Sequence, residues 1–432
     1  MNWRAIVADT RPLQDPNFRR MWVAQIVTMI GAQLTVVSVP AQLYADTGSS
    51  AYVGLAGLFG LVPLVIFGLY GGALVDHFDR RRVLIVTTVG LIGTSALFWA
   101  QAAAGNRNPW LLLGLFSVQQ AFFAVNSPAR SAILPTLLST DLLPAANALG
   151  MTVFQFGAIV GPLVAGVLIP FTGFTWLYLI DTITLLATLY SVLRLPPLPV
   201  LNAAAKTPGL SAVWEGFAYL STQPVLLMSF VVDLIAMVFG MPRALYPQIA
   251  HEAFHGPAAG GLALALLFAA IPAGAVLGGV FSGWLSRVER QGYVVLWCIG
   301  IWGASMAGFG ITVWLAPHGL TLFLWLGVLC QVIGGAADMA SASMRQAMLL
   351  EAADDNVRGR LQGVFIVVVA GGPRIADVAH GGAAVAVGTA AAAAGGGVLV
   401  VIGIVACAIL VPSFVRYRIT HAPRGQEIPA ER

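Results

Sequence analysis

Apolar residues in this chain come in long blocks, separated by short stretches rich in Gly, Pro, Asn, Asp and Arg. A block of about 20 apolar residues is long enough to cross a bilayer as a helix. Twelve such spans can be drawn, at 21–45, 52–75, 83–104, 110–134, 145–169, 174–194, 224–249, 261–285, 293–315, 320–344, 361–385 and 392–414. On one side the connections are short: Thr47 to Ser50, Gly105 to Pro109, Phe171 to Gly173 and Ala316 to Gly319. The longest connection on that side carries His251, Glu252, His255 and Pro257. On the other side the longest runs from Leu195 to Gln223 and opens with Pro196, Pro197 and Pro199, which cannot continue a helix. Its part from Leu210 to Leu220, with Trp214, Glu215, Phe217 and Tyr219, predicts a short amphipathic helix lying on the membrane surface. The pattern thus divides the chain into an N-terminal six-helix bundle (1–195), a linker (196–222) and a C-terminal six-helix bundle with its tail (223–432). The expected class is an all-α integral membrane protein, its twelve transmembrane helices forming two pseudo-symmetric bundles.

Charge fixes the expected orientation. Of 22 Lys and Arg residues, all but Arg107, Arg243 and Arg374 fall in or beside the tails and the even-numbered connections. Positive charge gathers on the cytoplasmic side of membrane proteins, so both termini are expected in the cytoplasm of a bacterial inner membrane. The chain is 58% hydrophobic and only 9% charged, with a mean hydropathy of +0.86; a soluble domain carries about 25% charged residues. The net charge of +4 is scattered over loops and does not point to nucleic acid. Lys206 is the sole lysine. Cys298, Cys330 and Cys407 lie inside apolar spans without CxxC spacing, so neither a metal nor a redox site is expected. Arg19 and Arg20 precede a full-length span and read as a topological anchor, not a cleaved signal.

The halves echo one another. Gly71 and Gly72 followed by Arg80 recur as Gly278 and Gly279 followed by Arg287, and Ala129 and Arg130 have a weaker counterpart in Met344 and Arg345. A parallel repeat of this kind is found in transporters that rock two bundles around a central site. Between spans two and three, Gly72, Asp76 and the cluster Arg80, Arg81 and Arg82 resemble the loop signature of the major facilitator superfamily. His77 and Asp79 depart from it, where the family usually has Arg and Gly. The resemblance implies an inner gate: Gly72 permits close helix approach, Asp76 can face a helix N-terminus, and an Arg can pair with a carboxylate across the seam between halves. Arg130, Arg287, Arg345, Arg358 and Arg360 are the other candidates for that gate. A basic loop that only sets topology is the alternative. Gly157, Gly161, Pro162 and Gly166 resemble the Gly-x-x-x-Gly-Pro pattern that the superfamily shows mostly in exporters, although GxxxG also serves simple helix packing.

A finer resemblance, to the enterobactin exporter and drug efflux branch, rests on Val39 to Ser49, Pro242 to Pro247, Ala269 to Pro272, Pro128 to Arg130 with Pro144 to Asn147, and Val357 to Arg360. The Arg that many proton-coupled exporters carry in span four is replaced here by Ser117.

Ionisable groups inside spans are functional candidates, because each costs about 2.5–3.5 kcal/mol at mid-span. They are Asp181, Asp233, Asp338, Asp377, Arg243, Arg374 and His380. Arg374 and Asp377, three apart, are expected to pair on one helix face. Asp233 has no partner nearby in sequence and is either a proton-coupling carboxylate or a satisfied structural one. Family analogy places the cavity among spans 1, 4, 7 and 10, whose polar and soft residues are Gln25, Gln33, Gln42, Gln119, Gln120, Asn126, Met237, Met241, Trp325 and Gln331. Such a lining suits an amphipathic small molecule.

The expected function is alternating-access export of a siderophore-like or drug-like molecule, driven by the proton gradient and without a bound cofactor. A monomer in contact with membrane lipid is expected. An importer, a lipid or metabolite transporter, or a non-transporting sensor or scaffold of the same fold are the alternatives. No HExxH, GxSxG or nucleotide-binding loop supports an enzyme.

Overall fold

The computed structural model describes residues 9–196, 218–352 and 355–418, and within them all side chains but 69–77, 286, 320, 350–352, 355–367, 369 and 370. Among these residues there is no β-strand. The long helices are α1 (Pro16–Thr47), α2 (Ser50–His77), α3 (Arg80–Ala103), α4 (Pro109–Leu137), the run Leu143–Leu193, α7 (Pro224–Gly240), α8 (Leu262–Val280), α9 (Gln291–Leu315), α10 (Leu320–Ala352), α11 (Asp355–Val387) and α12 (Thr389–Leu410). The run Leu143–Leu193 turns at Gly173, whose φ of 71° and ψ of 176° suit glycine alone. It therefore contains two crossings, α5 (143–172) and α6 (174–193), and brings the count to twelve.

Helix ends follow local chemistry. The Asp15 carboxylate caps α1 by accepting from the Asn17 and Phe18 N–H groups, with Pro16 at the first helical position. Asn108 caps α4. Gly48 ends α1 at φ 64°, and Gly388 separates α11 from α12 at φ 82°.

Two spans end earlier than the sequence suggests. Instead of running to 249, α7 stops at Gly240, and the chain passes through Met241 and Pro242 into a tight turn, Arg243–Leu245. Pro242 has no N–H to continue the ladder, and the Arg243 N–H turns to Met241 O at 2.9 Å. The Phe239 carbonyl left bare accepts instead from His380 Nε2 at 3.0 Å, as a break at membrane depth requires. Likewise α8 gives way after Val280 to the turn Ser282–Arg287.

Packing within each half is the same. α1 lies on α5 and α6, as α7 lies on α11 and α12; α2 on α4, as α8 on α10; α3 on α4 and α6, as α9 on α10 and α12. Across the seam α2 meets α11 and α5 meets α8, two contacts that the same exchange of halves interchanges. Small residues make these approaches: Gly54 faces Gly381, and Gly166 faces Ala265.

Candidate functional site: a chamber between the halves

The side-chain bonds between the halves lie at mid-height or at the end remote from the termini. Tyr44 Oη donates to Glu252 Oε1 at 2.8 Å, and Ser50 Oγ donates to Gln248 Oε1 at 2.6 Å. Gln248 Nε2 donates to the second Glu252 oxygen at 2.9 Å, and His251 meets the Tyr44 ring edge-on. The Gly261 N–H donates to Gly166 O at 2.7 Å. Among the described side chains, no hydrogen bond or ion pair joins the halves near the termini. The described bonds therefore latch the two halves together at the far end. The sequence offered one signal for this latch, an acid at Glu252 in an outer connection, but not its partners.

Behind the latch lies a cavity of about 490 Å³ lined from both halves, within the range of small-molecule sites. Helix α4 supplies one wall through Phe116, Gln119, Gln120, Phe123, Asn126 and Arg130, a three-to-four-residue spacing that keeps them on one face. Gln25 and Gln33 of α1, Asp181 of α6, Arg243, and Arg374 and Asp377 of α11 add further polar groups, with the hydroxyls of Thr28, Thr35, Thr88, Ser127 and Thr188. Asp181 Oδ2 accepts from Thr35 Oγ1 at 2.7 Å and Ser95 Oγ at 2.9 Å. Asn126 Nδ2 donates to Thr87 Oγ1 at 2.8 Å. Gly157 and Gly161 bring α5 onto Met29 and Gln33 of α1, with Pro162 buried beside them.

Other expected residues stand elsewhere. Asp233 is not alone: it forms an ion pair with Arg345, both buried, and Arg345 Nη2 lies 3.9 Å from Asp338. This cluster sits inside the C-terminal bundle, away from the chamber, so Asp233 and Asp338 do not line the cavity and Arg345 does not cross the seam. Folding brings α7 against α10, a proximity that sequence distance hides. Arg374 does not pair with Asp377 among the described ion pairs. The absent side chain at Gly60 lets its guanidinium pass to α4, where Nη2 donates to Gln120 Oε1 at 3.1 Å and the group lies over the Phe116 ring at 5.2 Å. Arg243 and Arg374 both lie close enough to Asp377 to act on its charge.

Gln42 is buried, bonded to Gln101 and accepting from Tyr178 Oη at 2.9 Å. Gln331 accepts from Tyr246 Oη at 3.0 Å. Met241 is buried in the C-terminal apolar cluster, and Met237 packs on α11 at Gly372. Trp325 points outward, 53% exposed. None of these five lines the chamber.

At the expected gate, Arg80 Nη1 donates to Ala132 O at 2.9 Å and Arg81 Nη2 to Leu193 O at 2.7 Å. These are carbonyls of their own half, at the ends of α4 and α6, where cations are favoured. Neither Arg crosses the seam. Asp79, where the resembled family usually has Gly, caps α3 by accepting from the Arg81 and Arg82 N–H groups at 2.8 and 3.2 Å. Arg82 and Arg287 are exposed. The side chains of Gly72, Asp76, Arg358 and Arg360, and most of the expected amphipathic linker helix, lie outside the described residues.

Residues 7–421 match the family of transmembrane secretion effectors. This chain belongs to that family, within the major facilitator superfamily. The transporter is 27% identical to the enterobactin exporter EntS of Salmonella typhi over 398 residues, 91% of this chain and 92% of that protein. It is likewise 27% identical to the enterobactin exporter EntS of Escherichia coli O1:K1 / APEC, over 92% of each chain. It thus stands in the enterobactin exporter-like branch. A bacterial homologue of the lysosomal transporter Spinster, solved in an inward-facing and unoccupied conformation, shares 15% identity at a TM-score of 0.71, over 96% of this chain and all of that one. The nucleoside transporter NupG shares 14% at a TM-score of 0.70, over 92% and 98%. These two fix the fold, a multi-pass bundle of twelve helices; the family and its exporter relatives mark the chain as a transporter and not an enzyme.

Proposed function

We propose that this transporter exports a siderophore-like or drug-like amphipathic molecule by alternating access, driven by protons. The carrying observation is the chamber between two equivalent halves, bolted at the far end by Tyr44 and Glu252, in a chain related to enterobactin exporters over nine-tenths of its length. With both termini in the cytoplasm of a bacterial inner membrane, the latch lies on the outer side and the chamber takes its cargo from the inner side. The halves, 1–195 and 223–432, rock as a monomer, and the basic loop from Gly72 to Arg82 with Arg358 and Arg360 closes the inner end.

Asp377 is the favoured coupling carboxylate. It lines the chamber at the seam beside Arg243 and Arg374, whereas Asp233 is held by Arg345. One inward proton supplies about 2.3 kcal/mol per 100 mV, and about 1.4 kcal/mol sustains a tenfold cargo gradient, so no nucleotide is required. The test is efflux of enterobactin and of a cationic dye from loaded proteoliposomes under an imposed pH gradient. Gradient-driven efflux that Asp377→Asn abolishes supports the reading. Efflux indifferent to the gradient removes the coupling, and accumulation where export is expected reverses the direction.

A further inference from the structure

The two halves share a plan but not a charge balance. The register that matches Met29 with Met237, Gly157 with Gly372 and Arg130 with Arg345 also matches Gln25 with Asp233 and Phe123 with Asp338. In the C-terminal half this constellation is complete: Arg345 is buried between two carboxylates, Asp233 and Asp338. In the N-terminal half the equivalent guanidinium remains, yet both acids are gone, replaced by an amide and an aromatic ring. Gln25, Phe123 and Arg130 all line the chamber. Among the described residues Arg130 has no hydrogen-bond or ion-pair partner, and no neighbouring charge acts on it. The other chamber charges are engaged: Arg374 with Gln120, Arg243 and Arg374 around Asp377, and Asp181 with Thr35 and Ser95.

Resting on the reading of this chamber as the cargo site, we propose that Arg130 is its anion-binding residue. The cargo is an amphipathic molecule with an acidic group set beside an aromatic or apolar body. A cation facing an apolar chamber is costly without a counter-charge, and the cargo's acid supplies what Asp233 and Asp338 supply to Arg345. The planar fork of Arg suits a carboxylate, phosphate or other two-oxygen anion. Gln25 offers an amide N–H to the same group, and Phe123 offers its face to the adjoining ring. Ten residues along α4, about 15 Å, separate Arg130 from Gln120, so the acid binds at one end of the chamber and the body extends toward the other.

The test uses the purified, full-length transporter in detergent and two probes with the same body, N-dansyl-phenylalanine and its uncharged amide, titrated by fluorescence. The acid should bind at least tenfold more tightly than the amide. Arg130→Gln should abolish that preference, bringing the affinity for the acid down to that for the amide, and Arg130→Lys should keep part of it. Equal affinity of wild type for the two probes, binding of neither, or a preference that survives in Arg130→Gln overturns the proposal. Phosphatidylglycerol is titrated in parallel: exclusion of the acid by this lipid at a few molecules per transporter assigns the site to a lipid head group and overturns it too. The wild-type comparison needs no variant, so misfolding of Arg130→Gln does not blunt the test. Equal probe affinities with gradient-driven efflux intact sink this inference alone, whereas tight acid binding without efflux sinks the exporter reading alone.

Discussion

The Tyr44 hydroxyl, at the end of α1, donates to Glu252 beyond the end of α7, joining the two halves at 2.8 Å. Ser50 and Gln248 repeat the link one turn away, and Gln248 steadies the same carboxylate. A hydrogen bond to a charged acceptor contributes about 1.5–3 kcal/mol. Every 1.4 kcal/mol is about tenfold in an equilibrium. Glu252→Ala should therefore raise the population open at the far end about tenfold or more. Spin labels at Asn106→Cys and His318→Cys, exposed in far-end connections of opposite halves, should report a new, longer distance. Tyr44→Phe should do the same more weakly and add little on top of Glu252→Ala, because the two share one interaction. A distance distribution indifferent to both changes would show that the latch does not hold the far end.

The Asp233 and Arg345 pair makes the opposite kind of prediction, about stability within one half. Both side chains are buried, and Phe230 and Leu349 close over them. Removing one partner of a buried pair costs about 3–5 kcal/mol, whereas replacing both by apolar residues is often neutral. Arg345→Met should lower the thermal midpoint in detergent by several degrees. The double change Asp233→Leu with Arg345→Met should recover most of the loss. If the single and double variants melt together, the pair is not what holds α7 to α10.

The spans and their helical content were legible because membrane thickness imposes a block length on the sequence. Glycine spacing singled out Gly157 and Gly161, and Met29 and Gln33 of α1 lie against these two positions. What sequence could not supply was the partner of each polar group. Asp233 and Arg345 are far apart along the chain, as are Arg374 and Gln120, and no local spacing joins them. Arg374 and Asp377 did share a local spacing, and it misled, because Gly60 opened a better route for the guanidinium. Trp325, Gln42 and Gln331 failed for another reason. On a helix that is apolar all round, lipid, neighbour and cavity faces carry the same residue types, so facing has to be seen.

Asp79 shows how a departure from a family pattern is accommodated. Its carboxylate accepts from two N–H groups of the first turn of α3. Replacing such a cap by Ala costs about 0.5–2 kcal/mol, and by Gly only a few tenths. Asp79→Gly, the residue usual in the resembled family, should leave the thermal midpoint within a degree or two of wild type. Asp79→Ala should lower it measurably. Equal losses in both would mean that the carboxylate contributes more than capping.

The contact of α2 with α11 closes the seam at the far end through backbone rather than side chains. A Cβ at Gly54 would lie 2.7 Å from Asp377 O and 3.1 Å from Gly381 Cα, and neither atom can rotate away. Overpacking of this kind costs about 1–3 kcal/mol. The cost falls on the close packing seen here, and in the alternating-access reading rocking the two helices apart relieves it. Gly54→Ala should thus favour the far-open state without a comparable loss of helix stability. Val39 is buried and lines the chamber, so Val39→Cys reports entry from the far face. An impermeant maleimide applied to that face should modify it several-fold faster in Gly54→Ala than in the parent. Gly68, also on α2, has nothing within 4 Å of an added Cβ, and Gly68→Ala should leave the rate unchanged. Equal acceleration by both substitutions would assign the effect to α2 helix propensity and refute the steric seam.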